Sequence, residues 1–151
     1  MPIHEYRGDL LASDCNVIIH CCNCFHTMGS GIARVIGKRY PEAKAADKAT
    51  KYADKEKLGT FSYAIVEDFD RYIFNLYGQY RYGGGGCHLD YPALEQGMNQ
   101  IKDFFVKQGM LDSVKIGTYK IGCNRGGGEW SIVGPIIERV FPDTEIHIYE
   151  L

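Results

Sequence analysis

The stretch Asn16-Val17-Ile18-Ile19-His20-Cys21-Cys22 constrains this chain more than any other. An apolar run without alternation reads as a strand covered on both faces, and such a strand needs helices above and below its sheet. The residues that follow fit this. Met28-Gly29-Ser30-Gly31 is a glycine turn, and Ile32, Val35 and Ile36 then recur at helical spacing up to Arg39-Tyr40, before Pro41. A buried strand passing through a glycine turn into a helix points to an α/β sandwich.

The remaining segments supply the other layers. Ile3 to Tyr6, Phe61 to Val66, Tyr72 to Tyr77, Ser113 to Tyr119 and Glu145 to Tyr149 read as strands, the second and third joined by the acidic turn Glu67-Asp68-Phe69-Asp70. Pro41 to Tyr52, rich in Ala and Lys, predicts a solvent-facing helix that starts at its proline and only covers the sheet edge. Tyr91, Leu94, Met98, Ile101 and Phe105 fall at steps of three and four and predict an amphipathic helix with Asp90 as N-cap. A last helix over Ile132 to Phe141 turns Val133, Ile136, Ile137 and Val140 inward. Gly83-Gly84-Gly85-Gly86 has no side chain to pack and reads as a mobile loop. The expectation is one domain over residues 1–151, a three-layer α/β/α sandwich with a central mixed sheet of about six strands. Its 151 residues, 45% hydrophobic and 24% charged, suffice for a single core.

Seventeen Lys and Arg against nineteen Asp and Glu leave a net charge of −2, so a charge-driven, sequence-blind grip on nucleic acid lacks its main source of affinity. Any polyanion is small or locally cradled. No basic stretch leads into an apolar segment at the N-terminus, and no run approaches a membrane span; the expected address is the cytoplasm, with the nucleus open, and the expected state a monomer. Cys21, Cys22 and Cys24 crowd one strand-like segment whose neighbours point to opposite faces, which favours reduced, mostly buried thiols over disulfides. With His26 they suggest zinc, but no second pair at metal-ligand spacing exists, so no metal and no cofactor is expected. A cysteine nucleophile, Cys24 or Cys123 with His26 or His20, is a thiol-hydrolase alternative that needs a depressed thiol pKa.

Two glycine-rich loops, Asn23 to Gly31 and Gly122 to Gly128, each lie between a predicted strand and a predicted helix. Such a turn presents free backbone N–H groups and the positive end of a helix dipole, and glycine lets phosphate oxygens approach the main chain. Two of them can clamp a diphosphate. Neither has the spacing of a P-loop or of a dinucleotide fingerprint with its downstream ribose acid.

Four segments in order, Arg7-Gly8-Asp9-Leu10, Val17 to Asn23, Met28-Gly29-Ser30-Gly31-Ile32-Ala33 and Tyr119-Lys120-Ile121-Gly122-Cys123-Asn124-Arg125-Gly126-Gly127-Gly128-Glu129-Trp130, with the closing Ile146-His147-Ile148-Tyr149-Glu150-Leu151, resemble the macrodomain, an ADP-ribose-binding α/β/α module. The resemblance covers essentially the whole chain. It is to the branch of ADP-ribose-1″-phosphate phosphatases and terminal ADP-ribose protein glycohydrolases. It implies that Asp9 accepts from the adenine amino group with the Leu10 backbone beside it, and that Asn23 meets the distal ribose. Met28, Gly29, Ser30, Gly31 and Ile32 then form one wall of the diphosphate site, and Gly122, Cys123, Asn124, Arg125, Gly126, Gly127 and Gly128 the other. Arg125 adds a charge-assisted contact, Trp130 covers a ribose or anchors the last helix, and Tyr149 belongs to the adenine pocket.

Glycohydrolases of that branch use a lysine after the fourth strand and an aspartate in the second glycine loop, where this chain has Gly78-Gln79-Tyr80 and Gly126. Lys120, at a strand end, is the remaining amine. The expected reaction is therefore hydrolysis of ADP-ribose-1″-phosphate to ADP-ribose and phosphate, with Asn23, His26 and Glu129 as catalytic candidates: an amide for the ribose, an imidazole of suitable ordinary pKa, and a carboxylate to orient water. His88 and Asp90 are further candidates. The alternatives are a non-catalytic reader of ADP-ribosylated protein or nucleic acid, and an ADP-ribosyl hydrolase acting on modified protein or DNA.

Overall fold

A computed structural model describes residues 3–29, 31–67, 70–82, 87–123 and 126–150. The tetraglycine, Asp68 and Phe69 of the acidic turn, and the candidate ligands Ser30, Asn124 and Arg125 lie outside the described residues.

Six strands, β1 (Ile3–Arg7), β2 (Val17–Cys22), β3 (Phe61–Val66), β4 (Arg71–Tyr77), β5 (Ile116–Thr118) and β6 (Ile146–Glu150), form one sheet in the order β1-β6-β5-β2-β4-β3. All neighbours are parallel except the β3–β4 hairpin. The helices are α1 (Gly31–Arg39), α2 (Pro41–Lys48), α3 (Tyr91–Lys107) and α4 (Trp130–Val140). This is the expected three-layer mixed sandwich.

β2 shows why its sequence does not alternate. Val17 and Ile19 face a core shared with Leu94, Met98 and Ile101 of α3 and Val133, Ile136 and Ile137 of α4. Ile18 and Cys22 face a second core with Ile36 of α1 and Ala43 of α2. Both faces are packed here, so these positions are apolar, with His20 the polar exception. Asp90 caps α3, its Oδ1 accepting from the Ala93 amide at 3.0 Å.

Three boundaries differ from expectation by more than one residue. α2 stops at Lys48, four residues short, because the Thr50 amide and hydroxyl both donate to the Asp47 carbonyl and the Ala53 amide is taken by the Cys24 carbonyl. Nor does α2 only cover an edge: its Asp47 is buried. β5 is only Ile116–Thr118, since residues 111–113 form a 3-10 turn. α4 begins at Trp130, with Glu129 at its N-cap.

All six cysteines are free, with Cys15, Cys22 and Cys24 buried. Among the described residues no helix is long and apolar enough to cross a membrane.

Candidate functional site

From β2 the chain first builds outward to β4 and β3, then crosses to β5 on the other side. The loops leaving the C-terminal ends of β2 and β5 therefore diverge, and a crevice opens between them. It is a cleft of about 730 Å³, of the size that holds a cofactor-sized ligand. Asn23, Met28, Gly29, Gly31 and Ile32 line it from the first loop, and Gly122, Gly126 and Gly127 from the second. The two glycine loops face each other, with the N-terminus of α1 at the cleft wall.

The first loop is held by Asn23. Its Oδ1 accepts from the Phe25 amide at 2.8 Å, and its Nδ2 donates to Thr27 Oγ1 at 2.6 Å. One N–H and one lone pair of the amide remain for a hydroxyl-bearing ligand. The second loop closes on itself through Gly128 N–H to the Gly122 carbonyl at 2.9 Å, and the Gly126 carbonyl accepts from the amides of His88 and Leu89 at 2.8 and 3.1 Å. Gly122 and Gly127 have φ of 72° and 73°, which a side chain would strain. At Gly126 the limit is space: a Cβ would lie 2.6 Å from the Gly122 oxygen and 2.9 Å from Gln79 Oε1. Gln79 lines the cleft here, next to Gly126.

The other sequence candidates lie around the cleft without lining it. Asp9 caps a 3-10 turn, accepting from the Leu11 amide at 2.9 Å, and stands beside cleft-lining Tyr119; burial first, then the Asp9 charge, hold that phenol above its ordinary pKa. Leu10 is buried beneath in the second core. Tyr149 stacks on Tyr6 at 5.3 Å. Trp130 packs against the α3/α4 core with the Lys120 ammonium 5.7 Å from its ring, the core-anchoring alternative. Cys123 and Gly128 sit in the loop but off the cleft. His26 points away, its Nε2 3.1 Å from Thr50 Oγ1 and its ring edge-on to Tyr52. Glu129 is exposed at the start of α4, its amide donating to the Tyr91 hydroxyl. His26 and Glu129 are thus not brought to Asn23.

The cleft floor is made by His20, which the sequence offered only as a partner for a cysteine nucleophile, and by Asp47, which it did not single out. His20 and Asp47, 4% and 1% exposed, both line it. The Asn75 amide donates to the Ala43 carbonyl and Ser62 Oγ, so its Oδ1 must accept from His20 Nε2, 2.6 Å away. That fixes the proton on Nε2 and leaves Nδ1, 3.7 Å from Cys22 Sγ, as the ring's acceptor. Burial pushes the His20 pKa down, against the partial support of Asn75 and Asp47, so the ring is neutral at pH 7. Asp47 accepts from the Tyr77 hydroxyl at 2.7 Å. The thiols are poor nucleophiles. Burial pushes Cys21 up to about 12, Cys22 well above its ordinary value, and Cys24 and Cys123 upward as well. Lys120 reaches the cleft but holds its ammonium 3.9 Å from Glu5 and over Trp130. His20 was legible only as a possible partner of a cysteine nucleophile; Asp47 gave no local signal in its Ala/Lys helix.

A mixed, mostly parallel sheet with two strand-to-helix glycine loops facing each other across the crevice defines a class of α/β/α sandwich with its cleft at the strand-order switch point. No family model matches the chain. The macrodomain of Mycobacterium tuberculosis DarG superposes with a TM-score of 0.79 at 21% identity, covering 99% of this chain and 97% of that one. Thermosipho africanus DarTG in complex with ADP-ribose gives 0.76 at 21% identity, over 94% of this chain and 39% of that one. In sequence, an uncharacterized 17.5 kDa protein in the tk-vs intergenic region of Enterobacteria phage T4 is 35% identical over 157 residues, 99% of this chain and 97% of the relative. ADP-ribose glycohydrolase OARD1 of Bos taurus is 28% identical over 143 residues, 94% of this chain and 86% of the relative. The chain belongs to the macrodomain family and has the phage protein as a full-length relative.

Proposed function

We propose that this macrodomain binds ADP-ribose across its two glycine loops and hydrolyses ADP-ribose-1″-phosphate to ADP-ribose and inorganic phosphate. The observation that carries the reading is the pairing of those loops over a floor that offers a neutral imidazole, His20; the resemblance would put a lysine and an aspartate of the glycohydrolases where this chain has Gln79 and Gly126. The ADP-ribose in the complex with T. africanus DarTG and the name of OARD1 support the ligand class. Loop amides and the α1 N-terminus receive the pyrophosphate, and Asn23 receives the distal ribose. Water adds to phosphorus and the P–O1″ bond breaks. The proton that water loses goes to His20 Nδ1 and returns to the sugar oxygen. This role falls to His20 rather than His26 because only His20 lines the cleft.

The test is phosphate release from ADP-ribose-1″-phosphate beside calorimetry with ADP-ribose. His20→Ala is expected to lower turnover by about 10² to 10⁴ with affinity changed only a few-fold, and His26→Ala to keep both. Tight ADP-ribose binding without phosphate release by the wild type would leave a reader in place of the enzyme. A second reading, removal of ADP-ribose from modified protein or DNA, is favoured by the names of the relatives. Release of ADP-ribose from such a conjugate, surviving Lys120→Ala, would establish it without a lysine adduct.

A further inference from the structure

The two edges of the sheet are finished differently. β1 carries Glu5 and Arg7, both exposed, and charges of this kind keep an edge from pairing with another chain. β3, at the other edge, is Phe61-Ser62-Tyr63-Ala64-Ile65-Val66, with no charge and no proline. Tyr63 and Ile65 are 40% and 37% exposed, and as alternate residues of one strand they share a face.

The main chain of β3 is equally open. β3 runs antiparallel to β4, with Ser62 opposite Asn75 and Ala64 opposite Ile73, and the Tyr77 amide donates to the Thr60 carbonyl at 3.0 Å. Antiparallel hydrogen bonds fall on every second residue, so Thr60, Ser62, Ala64 and Val66 turn their main-chain groups to β4. Phe61, Tyr63 and Ile65 turn theirs outward, and no strand lies beside them among the described residues. Their side chains belong to an aromatic ladder. Tyr72 and Phe74 of β4 stack at 11°, Tyr63 stacks on Phe74 at 5.6 Å, Phe61 meets Phe74 edge-on at 5.1 Å, and Phe104 of α3 lies 5.1 Å from Tyr63. Because β3 is the last strand, the ladder ends there with its outer side bare. On the opposite face α2 runs antiparallel to β3: Asp47 bonds Tyr77 beside Thr60, while Tyr40 donates to Glu67. Exposed Lys48 therefore lies toward the start of β3, and exposed Glu42 and Glu67 toward its end.

We infer that β3 is a homodimer interface: a second copy adds its own β3 antiparallel across a two-fold axis at Tyr63, joining the two six-stranded sheets into one. Pairing the outward-facing residues fixes the register. Tyr63 stands opposite its own copy and Phe61 opposite Ile65, so each cross-strand contact on this face is apolar or aromatic. The same axis sets Lys48 of one protomer toward the Glu42 and Glu67 end of the other, making the flanks complementary in charge. A second copy is the occupant because it supplies all three complements at once: the main-chain row, the continuation of the ladder and the opposite charges. β2 and β5 end at the cleft, so an antiparallel partner opens its cleft at the other end of the joined sheet, and neither site is covered. The inference goes beyond the hydrolytic reading and does not rest on it.

The experiment is sedimentation equilibrium of the full chain from micromolar to millimolar concentration. The wild type is expected to reach twice the 17.0 kDa chain mass. Tyr63→Lys, which sets two ammonium groups face to face on the axis, is expected to raise the dimer dissociation constant at least about hundredfold while ADP-ribose affinity stays at the wild-type value. Tyr63→Cys gives a second readout, since residues opposite each other in a hydrogen-bonded antiparallel pair have Cα atoms about 5.5 Å apart, the span of a disulfide. Mild oxidation is expected to cross-link it on a non-reducing gel. The wild type, whose exposed Cys87 serves as the control thiol, and Ile65→Cys, which faces Phe61, are expected to stay uncross-linked. The inference is overturned by a wild type that keeps the chain mass at millimolar concentration, or by a Tyr63→Lys protein that is folded by circular dichroism and still dimeric. It is overturned equally by Tyr63→Cys failing to cross-link, or by Ile65→Cys cross-linking as well.

Discussion

Replacing Gly126 by alanine tests whether the second loop is built around the absence of one methyl group. Gly126 has no left-handed φ, so any cost is contact alone. The new Cβ would lie 2.6 Å from the Gly122 oxygen, a backbone atom, and 2.9 Å from Gln79 Oε1, against about 3.4 Å for an ordinary contact. Gln79 can turn aside; the Gly122 carbonyl cannot, because it accepts from Gly128 N–H, while Gly126 itself accepts from His88 and Leu89. Relief requires stretching that closure. Overpacking of this kind costs about 1–3 kcal/mol, and about 2 kcal/mol corresponds to a melting-temperature fall of about 4–8 °C for a chain of this length. Since the loop is a cleft wall, ADP-ribose affinity should fall at least about tenfold, a shift of about 1.4 kcal/mol. Gly29→Ala is the control: a Cβ there meets nothing within 4 Å, so it should leave the melting temperature unchanged while weakening ADP-ribose binding by narrowing the approach to the loop amides. Scanning calorimetry and titration calorimetry read both quantities. A Gly126→Ala protein with wild-type melting and affinity would refute the reasoning. The same contact predicts that Gln79→Lys with Gly126→Asp will not install lysine chemistry.

Asp9→Ala should weaken ADP-ribose binding about tenfold, the scale for losing a hydrogen bond to a charged group, and unchanged affinity by calorimetry would remove Asp9 from the site. Stability should also depend on pH through the two buried imidazoles. Burial holds His20 and His147 below their ordinary pKa in the folded chain, so the unfolded chain binds more protons as pH falls. Stability should be full above about 6.5 and decline as pH drops below it toward the folded values. Urea unfolding from pH 7.5 to 5 measures this, and a flat profile over that range would contradict it.

The hydrophobic period of α3, the cap at Asp90 and the double-sided burial of β2 are local properties, and the sequence carried them without help. The glycine loops were equally legible, because only a strand-to-helix turn with close backbone approach requires glycine at Gly122 and Gly127, whose φ is positive. His26 illustrates the limit. It lies in the loop five residues before α1 begins, yet a positive φ turns its ring toward Thr50. His20, read mainly as part of an apolar strand, becomes the cleft's imidazole because a neighbouring strand contributes Asn75 and a helix contributes Asp47.

Composition and periodicity thus determined the layered sandwich and the two loops, since burial pattern and turn chemistry act between residues close along the chain. Which side chains meet in the cleft was decided by strand order, which places β5 beside β2 and brings residues 20, 47, 79 and 119 to one floor. Those distances along the chain leave no periodic trace, so that choice belongs to the tertiary structure.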